Sequence, residues 1–247
     1  MTRRKLVVGN WKMNGLRAHL PQVAAIGAEA SAHGAVEVGL CVPATLIGMA
    51  NEARGGAFIG GQDCHVKATG AHTGCLSAEM LREAGATWVI VGHSERRADQ
   101  GETDADVAGK ALAGHAQGLK VILCVGESLE IRDSGEAVPF VLAQLEASLP
   151  EGAAAQWLSI AYEPVWCIGT GRIPTMEQIA EMHSAIRGAL VKRIGEDGNA
   201  MRILYGGSVN AANAAEVFAV ADVDGGLVGG ASLKVDSFGP IIEAAAA

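Results

Sequence analysis

The 247 residues carry a formal net charge of −8, so neither nucleic acid nor an acidic membrane, which both demand a basic surface, is an expected partner. Hydrophobic residues reach 49% while aromatics are only 4%, so the core must be packed from Ala, Val, Leu and Ile. The five cysteines, Cys41, Cys64, Cys75, Cys124 and Cys167, are odd in number and lack C-x-x-C spacing, which suggests neither a disulfide framework nor a zinc site and points to a reducing cytoplasm.

In chain order, eight apolar or β-branched runs recur at regular intervals: residues 5–9, 36–42, 57–61, 87–92, 120–125, 158–162, 202–204 and 226–228. Near-continuous hydrophobicity is the mark of parallel strands covered on both faces. The first run is too short for a signal segment or a membrane span. Between the runs lie helical patterns. Val138, Val141, Leu142, Leu145 and Leu149 follow i, i+3, i+4, i+7, i+11, and Ala108, Ala111, Leu112 and His115 repeat the start of that stripe. Ser77, Thr175 (with Gln178 three residues on) and Asn210 are expected helix N-caps.

Eight alternations of strand and helix predict an α/β chain folded as a closed (β/α)8 barrel of eight parallel strands, a single domain over residues 1–247. A doubly wound open sheet usually places a Gly-rich turn after its first strand, and Asn10-Trp11-Lys12 stands there instead. Ligands of such barrels sit at the C-terminal ends of the strands. Asn10, Lys12, His93, Glu163, Ser208 and the Gly229-Gly230 pair all fall just past predicted strand ends, and are expected to meet around one pocket.

Residues 159–171, S-I-A-Y-E-P-V-W-C-I-G-T-G, concentrate the chemistry. An apolar run delivers Glu163 to a strand end, and Pro164, having no N–H, is expected to stop the ladder there. A carboxylate removed from water becomes more basic, which suits a general base; the plainer reading is a salt-bridged glutamate. His93 taken alone is more often a hydrogen-bonded core residue than a catalyst. Lys12 is either a solvated surface lysine or, in an acidic protein, the local cation that holds an anion.

Five motifs, however, resemble the triosephosphate isomerase family in order and spacing over essentially the whole chain. They are Ala161-Tyr162-Glu163-Pro164-Val165-Trp166 with Ile168-Gly169-Thr170-Gly171, Gly9-Asn10-Trp11-Lys12-Met13-Asn14, Val91-Gly92-His93-Ser94-Glu95-Arg96-Arg97, Tyr205-Gly206-Gly207-Ser208-Val209 and Val228-Gly229-Gly230-Ala231-Ser232. The resemblance implies a TIM barrel that interconverts dihydroxyacetone phosphate and D-glyceraldehyde 3-phosphate through an enediol(ate), in glycolysis and gluconeogenesis, with no metal and no cofactor. It implies that Glu163 is the base and that His93 is an uncharged electrophile whose pKa is depressed by the helix behind it. It further makes Lys12 and Asn10 both catalytic and substrate-binding, and Glu95 a further carboxylate of the site, unless Glu95 is merely ion-paired to an arginine. Gly169 in the lid, Ser208, Gly229 and Gly230 are implied to grip the substrate phosphate.

Residues 62–77 resemble the family's dimer loop, implying a cytoplasmic homodimer in which Thr73 reaches the neighbour's Asn10 and Lys12. Cys75 stands where an acidic partner for Arg96 is usual, His72 replaces an aromatic, and Ile173-Pro174-Thr175 is a less common lid exit. Cys167 replaces a small lid residue and is expected to be exposed and reactive while the lid is open, with Cys124 buried. The rivals are another phosphate-binding barrel enzyme, such as a metal-dependent epimerase or an indole-pathway enzyme, and a non-catalytic binding module. His93 is the only histidine at a strand end, too few for a metal site.

Overall fold

A computed structural model describes residues 3–168 and 172–247. Its strands are β1 (Leu6–Asn10), β2 (Glu37–Cys41), β3 (Phe58–Gly61), β4 (Trp88–Val91), β5 (Lys120–Glu127), β6 (Leu158–Pro164), β7 (Ile203–Tyr205) and β8 (Gly225–Val228). They pair in parallel in chain order, and β1 pairs with β8 to close the barrel. Successive strand residues point to opposite faces. Val8, Ile90, Ile122 and Cys124 fill the barrel interior, while Val7, Val89, Val121 and Leu123 pack outward under the helices. Both faces are dry, hence the continuous apolar runs.

The ladder ends at Pro164, which itself takes the last rung. Rungs Gly126↔Glu163 and Glu127↔Pro164 carry β5 and β6 to the barrel rim, and a short 3-10 turn, Val165–Cys167, follows. Proline at the last strand position removes only a terminal donor, which an edge of the ladder tolerates. Glu163 is therefore anchored on a paired strand and not on a loop.

Among the helices, Ala137–Ser148 buries Val141 and Leu145 as its stripe predicts. The second stripe is displaced by one position. Helix Asp104–Ala116 buries Val107, Lys110, Ala111 and Gly114, and leaves Leu112 43% exposed. Lys110 takes a core-facing position because Asp63 and Glu102 meet its ammonium, a pairing that hydropathy cannot register. Ser77 accepts from the Met80 N–H, and Thr175 forms a capping box with Gln178. Asn210 is no N-cap: its Oδ1 accepts from the Ala212 N–H in a turn, and the helix Ala214–Ala219 starts after Asn213.

The N-terminal end of the barrel is plugged by charge. Arg3 and Arg187 both bind Asp222 and Asp224, and Lys120 and Arg202 both bind Glu37 while lying over the Trp88 ring. The other end is left for the site. No described helix is long and apolar enough to cross a membrane.

Candidate active site

At the C-terminal mouth, a cavity of about 320 Å³ is lined by Asn10, Lys12, His93, Glu163, Ser208 and the Gly229-Gly230 pair. Every strand-end residue expected around one pocket is there; the further carboxylate implied by the resemblance, Glu95, is not. That residue opens onto an adjoining cleft of about 730 Å³, which Asn10, Lys12 and His93 also line. Gly169 lies outside the described residues.

Asn10 ends β1, and its side chain accepts from the Lys12 N–H at 3.0 Å. Lys12 takes φ +52°, a left-handed conformation that costs a residue with a Cβ on the order of 1–3 kcal/mol and persists only when neighbours enforce it. The enforcing groups are Asn10 on one side and Gln62 on the other, whose Nε2 donates to the Lys12 carbonyl at 2.8 Å and to the Cys41 carbonyl at 3.1 Å. The Lys12 ammonium reaches Glu95 at 2.5 Å. Glu95 thus pairs with a lysine, not with an arginine.

His93 leaves β4 through Gly92, whose φ of +68° turns the chain, and it caps the helix Ser94–Gln100. Its Nδ1 accepts from the Glu95 N–H at 3.3 Å, which puts the imidazole proton on Nε2, and Nε2 lies 2.9 Å from Glu163 Oε1. Burial opposes charging His93, but the Glu163 carboxylate outweighs it, and the pKa is raised above its ordinary value. The depressed value expected from the helix N-terminus is corrected accordingly: a carboxylate at hydrogen-bond distance exceeds the field of a seven-residue helix.

Glu163 is only 2% exposed. Its Oε2 accepts from the Ser94 N–H at 3.0 Å, and its Oε1 from the Ser94 hydroxyl at 3.3 Å. Burial pushes this carboxyl up, but His93, the Ser94 amide and Lys12 together hold it below its usual value. The expected gain in basicity is absent while these partners stay in place.

Ser208 follows β7 and donates to the Cys167 carbonyl at 2.9 Å, tying the rim to the 3-10 turn after β6. A Cβ on Gly230 would meet nothing within 4 Å, and one on Gly229 would approach only Lys12 Cε at 3.6 Å. Their bareness therefore serves the cavity, not the packing behind it. Trp166 Nε1 donates to Glu127 Oε1 at 2.9 Å, an oxygen that also accepts from Tyr162 and Arg132.

Cys167 lies inside the protein in this structure. It is fully buried, and burial pushes its thiol up to about 12, which disfavours the thiolate while it stays buried. Cys124 is buried as expected, and Cys75 is the exposed thiol. Arg96 meets its charge inside its own chain, on Asp63 at 2.9 Å and on Glu102.

The sequence model of the family described as triosephosphate isomerase matches residues 5–245. A triosephosphate isomerase of Ruegeria sp. (strain TM1040) is 57% identical over 244 residues, 99% of each chain. That of Hyphomonas neptunium is 57% identical over 247 residues, 98% of this chain and 99% of its own. The crystal structure of triosephosphate isomerase from Bartonella henselae superposes with a TM-score of 0.92 at 44% identity, covering 98% of both chains. The chain belongs to the triosephosphate isomerase family.

Within this triosephosphate isomerase fold, Ser94, Gln62 and Glu127 touch the site or its supports without having been singled out in the sequence. Ser94 stood inside a quoted motif. Glu127 repeats the signature of Glu163, a carboxylate at the end of an apolar strand, and that pattern could have found it. Gln62 carries no local signal, because its partners, Lys12 just past β1 and Cys41 at the end of β2, are remote in sequence.

Proposed function

We propose that this cavity interconverts dihydroxyacetone phosphate and D-glyceraldehyde 3-phosphate, with the whole chain acting as one domain. The observation that carries the reading is the 2.9 Å contact between His93 Nε2 and Glu163 Oε1 in a cavity where Lys12 is the one formal cation among the described lining residues. A base, a neutral donor and a phosphate counter-charge converge on a volume suited to a small metabolite.

A triose phosphate entering this cavity must part Glu163 from His93 and Ser94. Stripped of those partners but still shielded from water, the carboxylate becomes more basic. It then takes a proton from the carbon bearing the hydroxyl and returns it to the neighbouring carbon. The freed Nε2–H of His93 faces the substrate's two oxygens, between which one proton must move, while Nδ1 keeps its Glu95 N–H and the ring stays neutral. No electron enters or leaves, so the chemistry calls for no cofactor.

Lys12 and Asn10 supply charge and an amide at the substrate, and Glu95 steers the lysine. Ser208, Gly229 and Gly230, with Gly169 of the lid, grip the phosphate through hydroxyl and backbone N–H donors. A coupled assay on D-glyceraldehyde 3-phosphate, run with and without EDTA, tests the reading. Turnover indifferent to the chelator supports it. No turnover, or turnover lost to EDTA, overturns it.

The same reading makes the chain a cytoplasmic homodimer through residues 62–77, with Thr73 of one subunit reaching its partner's pocket rim. The support is the cleft beside Lys12 and Glu95, bordered by Met13, Val66 and Leu76, which are 97%, 42% and 39% exposed. Apolar surface of this kind around a concave site is what a partner covers.

A further inference from the structure

We infer that Arg97 is a positioning residue for this isomerisation, clamping the carbonyls at the mouths of β4 and β5 and thereby fixing where His93 stands. The inference rests on the assignment of His93 as the electrophile.

The last rung between β4 and β5 is Val91↔Leu123. The next would be Gly92 beside Cys124, but Gly92 has turned to φ +68° and cannot continue the strand. The Arg97 guanidinium occupies that missing rung. Its Nε donates to the Gly92 carbonyl at 2.8 Å, and one terminal nitrogen donates to the Cys124 carbonyl at 3.1 Å. The planar fork bridges two carbonyls as a strand pairing would.

The Gly92 carbonyl belongs to the same rigid peptide plane as the His93 N–H. Holding that oxygen fixes the plane from which the His93 side chain hangs. The Cys124 carbonyl lies on the strand that pairs with β6, where Gly126↔Glu163 sets the base. One cation thus spaces the mounts of both partners in the 2.9 Å contact. Consistent with that proximity, burial and then the Glu163 charge hold the Cys124 thiol well above its ordinary value.

The guanidinium is itself fixed from behind. Its other terminal nitrogen donates to Asp104 at 2.6 Å, the Ser148 hydroxyl accepts at 3.1 Å from the nitrogen that also holds the Cys124 carbonyl, and that hydroxyl donates in turn to Asp104 at 2.9 Å. Ser148 is wholly buried. Asp104 and Ser148 hold the clamp and do not line the pocket. They separate a positioning role from a purely structural one.

The experiment compares Arg97→Lys with Ser148→Ala. Lysine can reach one carbonyl but cannot bridge two in a fixed plane, so kcat should fall on the order of tenfold to a hundredfold with KM changed less than about threefold. The NMR resonance of the His93 Nε2–H should shift in that variant. Ser148→Ala loses a bond to the clamp but keeps both carbonyl contacts, so its melting temperature should fall while kcat stays within about twofold. In a His93→Gln background, Arg97→Lys should cost little further activity, because its effect travels through the imidazole.

If Arg97→Lys does not fold, Asp104→Asn loosens the same guanidinium from behind and should give a smaller kcat loss with a shifted His93 resonance. Wild-type kcat together with an unshifted His93 resonance in the folded variant used, or equal kcat losses in Ser148→Ala and Arg97→Lys, would overturn the inference. Absence of isomerase activity in the wild type would instead overturn the functional reading on which it rests.

Discussion

His93 and Glu163 are each other's hydrogen-bond partner, 2.9 Å apart, before any substrate arrives. Binding must break this bond, so part of the substrate's affinity is spent in releasing the base. Glu163→Gln keeps the shape and the partners but abolishes the proton acceptor. We expect kcat to fall by roughly 10²–10⁴-fold with little change in the affinity of an unreactive phosphate analogue. Near-normal turnover would remove Glu163 from the chemistry.

Lys12 supplies the one formal positive charge among the described cavity-lining residues. A charge-assisted hydrogen bond is worth about 1.5–3 kcal/mol, so Lys12→Ala should raise KM tenfold or more. Steady-state kinetics with an unchanged KM would exclude the lysine from phosphate binding.

Thiol chemistry can read the association proposed for residues 62–77. Cys41, Cys64, Cys124 and Cys167 are buried and Cys75 is exposed in the single chain. Dilute native protein should therefore label at Cys75 alone, and the rate should fall as concentration rises and a partner covers the loop. Sedimentation on the same samples should report the dimer. A fully active monomer at micromolar concentration, or labelling at Cys75 that ignores concentration, would contradict the pairing.

Acid sensitivity should centre on His183. Its Nδ1 bonds the Asp222 carbonyl at 3.0 Å, its Nε2 has no partner among the described residues, and burial depresses its pKa to about 4. A folded value below the unfolded one means that the unfolded chain takes up the proton first. The stabilisation is therefore complete above about 6.5 and drains away as pH falls toward 4, by on the order of 3 kcal/mol in total. Urea denaturation of His183→Asn should show a flatter loss of stability across that window. An unchanged slope would place the acid sensitivity elsewhere.

The barrel was legible in the sequence because a strand covered on both faces writes its burial directly into hydropathy. The strand-end site residues were legible through motif spacing. What stayed hidden depends on distance between remote segments. The helix behind His93 could be anticipated, but Glu163 at 2.9 Å could not, and that contact reverses the direction of the pKa. Lys110 faces the core because Asp63 and Glu102 supply its counter-charges, and no local hydropathy pattern registers them. Cys167 looked like loop, yet the 3-10 turn from Val165 to Cys167 points its thiol inward.

Closure of the ring by β1 against β8 joins the first strand of the chain to the last. During synthesis, at roughly 5–20 residues per second, Leu6–Asn10 must wait on the order of ten seconds or more for Gly225–Val228 to leave the ribosome. Throughout that interval one side of β1 offers unpaired N–H and C=O groups to any passing strand. The finished barrel has no such edge, so the hazard of mispairing belongs to the nascent chain and ends with its last strand.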